Sequence, residues 1–333
     1  MQFERDFFEE EVREDFTVSR LRKHIWAAEM ELLKIIIDIC DRYGLKYFAD
    51  WGTLLGVVRH KGYVPWDDDI DICMKRDDYN RLIKILPKEL PHGVEVLGAH
   101  AQKEEFFEAY PDTFQLMVGA VRNAWDINEY TRFFHGYILE EILIDIFPLD
   151  VVPGDEKAYQ VQQKLFSVGF AIASDWDNMK KEGTLTKRLA EFEKLSGIPV
   201  PENVSDMEKR RHMWKMIDAI ASLYREGEGE NLSEYAFADS KPELILSKDC
   251  YRDCLKMPFE NMEIAVPTGY DTILKTKYGD YRKRVQGASS HSYASYEIMA
   301  DRLEADLKRA GITCGLDELC DKVVSGEIIL HLT

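Results

Sequence analysis

The sequence has no long apolar run and no excess of positive charge. No stretch approaches the roughly 20 uninterrupted apolar residues of a transmembrane helix, and the opening segment MQFERDFFEEEVRED lacks the apolar core of a secretion signal. Lysine and arginine number 43 against 61 aspartates and glutamates, a net charge of −18. This balance argues against a nucleic-acid or anionic-membrane surface. We therefore expect a soluble, cytoplasmic protein with no transmembrane segment and no nucleic-acid partner.

The cysteines give no sign of a zinc site or a disulfide framework. Six are present, and none belongs to a Cys-x-x-Cys pair. Scattered cysteines of this kind are typical of reduced, partly buried thiols. They are Cys40, Cys73, Cys250, Cys254, Cys314 and Cys320.

Hydrophobic periodicity predicts an α+β fold. The 333 residues, 45% of them hydrophobic, suffice for one large domain or two closely packed ones. Residues 20–43 repeat apolar side chains at helical spacing, and short apolar segments at 45–50, 94–97, 114–122 and 141–147 are typical of strands. We expect these segments to form a mixed sheet flanked by helices.

The second half of the chain changes pattern. Residues 155–225 are amphipathic at helical spacing, and REGEGEN at 225–231 is typical of an exposed connector. A hairpin is expected at 257–267, a helix ending at Gly279 after it, and a helical tail at 299–324. We divide the chain into a catalytic core at 1–153, a helical subdomain at 154–230, and a C-terminal module at 231–333 that packs back on the core.

Four aspartates occur within five positions of the segment GYVPWDDDIDIC, residues 62–73, where an apolar strand is expected to begin. Successive side chains of a strand face opposite sides, so Asp67, Asp69 and Asp71 would share one face. Carboxylate oxygens suit Mg²⁺ or Mn²⁺. We predict Asp69 and Asp71 as metal ligands and give Asp67 and Asp68 supporting roles. A solvated turn is the alternative interpretation.

A further acid, Asp145, interrupts the apolar segment EILIDIFPLD. An unpaired carboxylate buried in a strand is unfavourable, so Asp145 needs a partner. If its strand lies beside the first, Asp145 joins Asp69 and Asp71 in a three-carboxylate site for Mg²⁺ or Mn²⁺. An ordinary ion pair is the alternative for Asp145.

Several residues are candidates for binding the phosphates of a substrate. Gly52 and Thr53 begin the segment WGTLLGVVRH, which is either a short helix or a tight loop, and a helix start offers free amides to an anion. The remaining candidates are cations near the acids in sequence or at the end of an expected strand. They are Arg59, His60, Lys61 and Arg122.

The stretch YFADWGTLLGVVRHKGYVPWDDDIDICMKRDDY closely resembles the signature of the LicD family, which includes the fukutin-like proteins. The resemblance is dense over residues 45–80. The segments IDIFPLD at 144–150 and FENMEIAVPTGYDTILKTKYGDY at 259–281 support it. About a third of the chain carries the specific resemblance, and the helical middle does not.

The resemblance implies a nucleotidyltransferase-like fold and transfer of a substituted phosphate from a CDP-activated donor to a sugar hydroxyl. For LicD proteins the group is phosphocholine, from CDP-choline, and the acceptor is a glycan of teichoic acid or lipopolysaccharide, which is lipid-linked in some cases. By position, the family's metal-binding acids fall on Asp69, Asp71 and Asp145, and its Gly-Thr element on Gly52 and Thr53. Asp145 would act as metal ligand or as general base.

The sequence also admits other functions. The donor could carry ribitol phosphate, glycerol phosphate or phosphoethanolamine, or the protein could be a nucleotidyltransferase that uses an NTP. A non-enzymatic binding module is a third class, disfavoured by the grouped acids. A choline head group would seek aromatic faces. The aromatic candidates are Trp51, Tyr63, Trp66, Tyr79 and Trp176, each of which is also typical of core packing.

Overall fold

The computed structural model describes residues 1–138, 142–237, 240–285 and 294–331. Residue 141, where a strand was expected to begin, lies outside the described residues, as do parts of the expected C-terminal module. The strands are β1 Glu11–Arg13, β2 Phe16–Val18, β3 Phe48–Ala49, β4 Asp71–Lys75, β5 Val94–Leu97, β6 Leu116–Ala120, β7 Ile142–Val152, β8 Asn231–Ser233, β9 Ile245–Ser247, β10 Cys254–Phe259 and β11 Met262–Pro267.

The helices cover the segments between and around these strands. They are α1 Arg20–Tyr43, α2 Trp51–His60, α3 Arg76–Glu89, α4 Glu104–Ala109, α5 Ile127–Phe133, α6 Glu156–Ser174, α7 Trp176–Lys181, α8 Leu185–Ser196, α9 Asp206–Ala221, α10 Tyr270–Tyr278, α11 Ala294–Arg309 and α12 Leu316–Ser325.

The central sheet is mixed, as expected for an α+β protein. Its strand order is β3-β4-β7-β6-β5, and the far half of β7 also pairs with β8, which pairs with β9. Strands β4 and β7 are parallel, whereas the other neighbours in the sheet are antiparallel. The fold class expected from the sequence is therefore confirmed.

Helix α1 follows the prediction at both ends. Ser19 caps its start by accepting a hydrogen bond from the Arg22 amide. Gly44 ends it in the left-handed conformation, φ 60°, which glycine adopts without strain. The apolar side of the helix, including Trp26 and Ile36, is buried in the same core cluster as the sheet.

Several expected boundaries were wrong. The strand that carries the aspartates begins only at Asp71, and residues 67–70 precede it as irregular chain. The strand periodicity expected for Asp67 and Asp69 therefore does not apply to them. The tail expected at 299–324 is two helices, α11 and α12, separated by a break after Arg309. The sequence left open whether the segment WGTLLGVVRH is a helix or a loop; in the structure it is helix α2.

The expected helical middle forms its own apolar cluster. Helices α6, α8 and α9 contribute large buried side chains such as Phe166, Phe192 and Trp214, and α4 adds Phe107. The β10-β11 hairpin packs instead on β3 and α2, and α10 also contacts α2. The three-part division of the chain stays a prediction.

No helix among the described residues combines the length and apolarity required to cross a bilayer.

A buried ion-pair network ties the helical segment to the sheet. Arg76, the first residue of α3, binds Asp150 of β7 through two hydrogen bonds of 2.6 and 2.7 Å. Its remaining nitrogen binds Asp218 of α9 at 2.7 Å. Asp150 is fully buried, so Arg76 is the counter-charge that makes its burial tolerable.

We predict that Arg76→Met destabilises the protein by about 3–5 kcal/mol, because it leaves the Asp150 carboxylate buried without a partner. Urea unfolding followed by circular dichroism measures the change. Arg188→Met is the matched control, because Arg188 pairs with Glu191 on an exposed surface and such pairs contribute less than about 1 kcal/mol. Equal losses in the two variants would contradict this role for Arg76.

Candidate active site

The acids of the two expected strands meet at one edge of the sheet. Strands β4 and β7 are parallel neighbours, and Asp71 lies directly opposite Asp145 in their register. Partners in such a register lie roughly 5 Å apart and point to the same face. The strand of Asp145 therefore does lie beside the strand of Asp71, which was the condition for a shared carboxylate site.

The irregular segment before β4 brings more carboxylates to this edge. Oxygen atoms of Asp67, Asp68 and Asp69 all lie within 4.8 Å of one another, and the three side chains are half-buried. Asp67 and Asp68 were expected to have only supporting roles, but the structure places them beside Asp69. Oxygen-rich sets of this kind fit a hard divalent cation. We name Asp67, Asp68, Asp69, Asp71 and Asp145 the acidic edge.

Charge repulsion within the acidic edge is strong. Burial, followed by the charges of Asp69 and Asp145, raises the pKa of Asp71 well above its ordinary value. Burial and the charge of Asp69 do the same to the pKa of Asp67. A bound divalent cation would offset this repulsion and favour the ionised carboxylates.

The backbone of the acidic edge is fixed by its neighbours. The Asp67 carbonyl accepts hydrogen bonds from Arg22 at 2.9 Å and from the Trp26 indole at 3.2 Å, both on α1. Gln115 donates to the Asp145 carboxylate at 2.9 Å and orients it. The acids are therefore held in place before any ligand binds.

The start of α2 lies against the same edge. A Cβ atom on Gly52 would come within 2.1 Å of an Asp67 carboxylate oxygen, so only glycine permits this approach. The Thr53 hydroxyl accepts a hydrogen bond from the Asp71 amide at 2.9 Å. The helix start thus contacts both ends of the aspartate segment. Phosphate binding by Gly52 and Thr53 stays a prediction.

Two of the expected phosphate-binding cations lie at the end of α2 that is opposite to Gly52 and Thr53. Arg59 and His60 are at the last turn of α2, about 10 Å of helix rise from Gly52. Arg59 donates to the Tyr281 carbonyl at 3.1 Å, and the His60 Nε2 atom lies 3.0 Å from a Glu14 carboxylate oxygen.

The two other cations differ in their surroundings. Lys61 is exposed and follows α2 in the left-handed conformation, φ 59°. Arg122 follows β6 in a short 3₁₀ turn, at the edge of the sheet where β7 begins. Its Nε atom is buried and has no hydrogen-bond partner among the described residues. Phosphate contacts by these cations stay predictions.

The sequence did not point to four residues that the structure makes functional candidates. Asp50 precedes α2, Glu234 follows β8, and Lys277 with Tyr278 ends α10. Asp50, Glu234 and Lys277 form a buried cluster behind the helix start. Burial and the charge of Asp50 raise the pKa of Glu234 to about 7.

Tyr278 follows Lys277 at the end of α10 and is more exposed than the three residues of the buried cluster. Its pKa is raised by partial burial and then by the charges of Asp50, Asp67 and Asp71, and 38% of its side chain is exposed. Only the position of Tyr278 within the segment TKYGDY, at the end of an expected helix, could have drawn attention to it.

Four of the five aromatic candidates for a choline contact are core residues. Tyr63 stacks on Trp26 at 4.5 Å, and the other three are buried among apolar side chains. These three are Trp66, Tyr79 and Trp176. Trp51 remains near the acidic edge, and the Lys277 ammonium lies 3.8 Å from the centroid of its ring.

Comparison with known proteins bears directly on this geometry. Residues 44–117 match the model of the LicD/FKTN/FKRP nucleotidyltransferase domain, which in this chain spans β3 through part of β6 and includes four acids of the edge. A lipopolysaccharide cholinephosphotransferase, LicD, of Haemophilus influenzae is 26% identical over 258 residues, which are 76% of this chain and 88% of that protein. The resemblance to the LicD family that the sequence shows is therefore confirmed.

Two more proteins are similar over shorter stretches. An uncharacterized protein of Rickettsia prowazekii is 41% identical over 58 residues, 17% of this chain and 22% of its own length. Human ribitol 5-phosphate transferase FKRP is 31% identical over 48 residues, 14% of this chain and 10% of its own length. The names of both characterised relatives describe transfer of a phosphate-containing group.

We predict that Gly52→Ala weakens Mn²⁺ binding at least tenfold, because the added methyl group displaces the Asp67 carboxylate. Isothermal titration with MnCl₂ measures the affinity. Gly154→Ala is the matched control, since its Cβ would meet nothing closer than 3.8 Å. Mn²⁺ affinity that is the same in both variants would contradict the close packing of Gly52 on Asp67.

Proposed function

We propose that the protein transfers a substituted phosphate from a CDP-activated donor to a sugar hydroxyl of a cell-surface glycan precursor. Phosphocholine from CDP-choline is the first choice. The observation that carries the proposal is the acidic edge. Asp71 lies opposite Asp145 on the neighbouring strand, and Asp67, Asp68 and Asp69 come together just before β4. The family match over this segment adds support. The proposal places the enzyme in the cytoplasm.

The acidic edge fits Mg²⁺ or Mn²⁺ by its chemistry, because it offers several carboxylate oxygens. Asp69 and Asp71 would hold the ion, with Asp145 or Asp67 as a further ligand. A bound divalent cation would neutralise charge on the donor phosphates. Phosphoryl transfer otherwise asks a protein mainly for positioning and charge stabilisation.

The reaction that we propose forms one bond and breaks one. The acceptor hydroxyl oxygen bonds to the phosphorus that carries the head group, the bond from that phosphorus to the oxygen of CMP breaks, and CMP leaves with the electron pair. The hydroxyl proton passes to a base. If Asp145 is not a metal ligand, it can act as this base, because a hydrogen bond of 2.9 Å from the Gln115 side chain orients its carboxylate.

The identity of the head group is supported by the Haemophilus relative and not by an aromatic cage. Trp51 is the one aromatic candidate of the five that is not buried, and a lysine ammonium already lies over its ring. Ribitol phosphate is the second candidate because the shorter match is to a ribitol 5-phosphate transferase. Glycerol phosphate, phosphoethanolamine, and nucleotidyl transfer from an NTP rank below it, since the name of neither relative refers to them.

We predict that Asp71→Asn lowers the rate of CMP release from the preferred CDP donor at least 100-fold. The substitution removes a ligand of the proposed metal and also some charge repulsion, so the folded state should be at least as stable as that of the native chain. Chromatography of CMP and thermal unfolding measure the two effects. Asp77→Asn, at an exposed position on α3, is the matched control. Native activity in a folded Asp71→Asn protein would refute the site.

We predict that EDTA stops CMP release and that added Mg²⁺ or Mn²⁺ restores it, because the acidic edge requires a divalent cation to bind a diphosphate. The same chromatographic assay follows both steps. Turnover that continues in excess EDTA would show that the carboxylates do not act through a metal ion. Pyrophosphate release from CTP, with no CMP from a CDP donor, would favour nucleotidyl transfer.

A further inference from the structure

Three charged side chains from distant parts of the sequence meet behind the start of α2. The Lys277 ammonium contacts one oxygen of Asp50 and lies 2.8 Å from an oxygen of Glu234. All three residues are buried, with at most 8% of each exposed. We name Asp50, Glu234 and Lys277 the lysine cluster. It joins the end of β3, the segment after β8, and α10.

The lysine cluster also holds Trp51. The Trp51 amide donates to Asp50 at 2.8 Å, and its indole nitrogen donates to Glu234 at 2.8 Å. The Lys277 ammonium lies 3.8 Å from the centroid of the indole ring, a cation–π contact. Each member of the cluster therefore contacts Trp51.

Trp51 needs such support because its backbone is strained. Its φ of 40° lies in the left-handed region, which disfavours a residue with a bulky side chain by about 1–2 kcal/mol. Strained backbone persists where the surrounding contacts over-determine it, and it is frequent near functional sites. The contacts of the lysine cluster with Trp51 supply this constraint.

The helix start transmits the position of Trp51 to the acidic edge. The Asp50 amide donates to the Asp71 carbonyl at 3.0 Å, and Thr53 accepts from the Asp71 amide at 2.9 Å. Gly52, between them in sequence, packs on Asp67. A shift of Trp51 would therefore move the residues that fix both Asp67 and Asp71.

We propose that Lys277 is a positioning residue of the candidate active site. Its ammonium, held by Asp50 and Glu234, fixes Trp51 and through it the start of α2 against the acidic edge. The C-terminal module, which contains Lys277, then contributes to the structure of the site. The catalytic consequence rests on the proposed function, whereas the positioning of Trp51 can be measured without it.

The first test measures Trp51 itself. Fluorescence of Lys277→Met and Lys277→Arg is recorded with and without Trp51→Phe, so that the difference reports Trp51 alone. We expect the Trp51 emission of Lys277→Met to shift and its quenching by acrylamide to increase at least twofold, and Lys277→Arg to restore the native signal. Lys275→Met is the matched control, since Lys275 is on the same helix but binds Asp271 at the surface. An unchanged Trp51 signal in Lys277→Met would overturn the proposal.

The second test measures catalysis with the preferred CDP donor at saturating Mg²⁺. We expect kcat to fall about 10- to 100-fold in Lys277→Met, because small displacements of reacting groups have effects of this size. Lys277→Arg should recover most of the loss, and Lys275→Met should match the native chain. A folded Lys277→Met protein with native kcat would overturn the proposal, as would a failure of arginine to recover any activity while it restores the Trp51 signal.

Two further outcomes are kept distinct. If Lys277→Met does not fold, Glu234→Gln replaces it, because glutamine keeps the volume and an acceptor for the Trp51 indole. We then expect a kcat loss of about 3- to 10-fold, and an unchanged kcat would overturn the proposal. If the native chain releases no CMP from any CDP donor, the proposed function fails, while the fluorescence comparison still decides whether Lys277 positions Trp51.

Discussion

Oxygen atoms of Asp67, Asp68 and Asp69 lie within 4.8 Å of one another, and their mutual repulsion must be offset for the acidic edge to keep its shape. Asp71 and Asp145 add to the same negative field from neighbouring strands. Two features of the described residues hold the acids in place against this repulsion. Helix α1 binds the backbone of the aspartate segment, and glycine at 52 leaves room for a carboxylate at the start of α2.

Much of the sheet could be predicted because its signals are local. Alternation and short apolar segments located the main strands to within a few residues, and helical spacing over residues 20–43 gave both ends of α1. The isolated acid at Asp145 could be recognised because a buried carboxylate needs a partner, but the sequence left open whether its strand lies beside the one carrying Asp71. The segment before β4 was harder, since an irregular chain has no periodicity to detect.

The lysine cluster could not be predicted because nothing in the sequence spacing of Asp50, Glu234 and Lys277 relates them. Their contacts depend on how the C-terminal module packs on α2, which is a property of the folded chain. The same packing explains the surroundings of Arg59, whose guanidinium binds a carbonyl of that module. Lys277 belongs to the segment 259–281, which supports the resemblance to the family. The resemblance therefore indicated that this segment matters but gave Lys277 no role.

The measurement that tests the central claim most directly is isothermal titration of the native chain and of Asp71→Asn with CDP-choline, each with and without Mg²⁺. We predict binding to the native chain that requires Mg²⁺ and that is lost, or weakened at least 100-fold, in Asp71→Asn. The same titrations with CDP-ribitol, CDP-glycerol, CDP-ethanolamine and CTP rank the head groups. Binding of the CDP donors that is independent of both Mg²⁺ and Asp71, or binding of CTP alone, would contradict the assignment of the acidic edge to phosphate-group transfer.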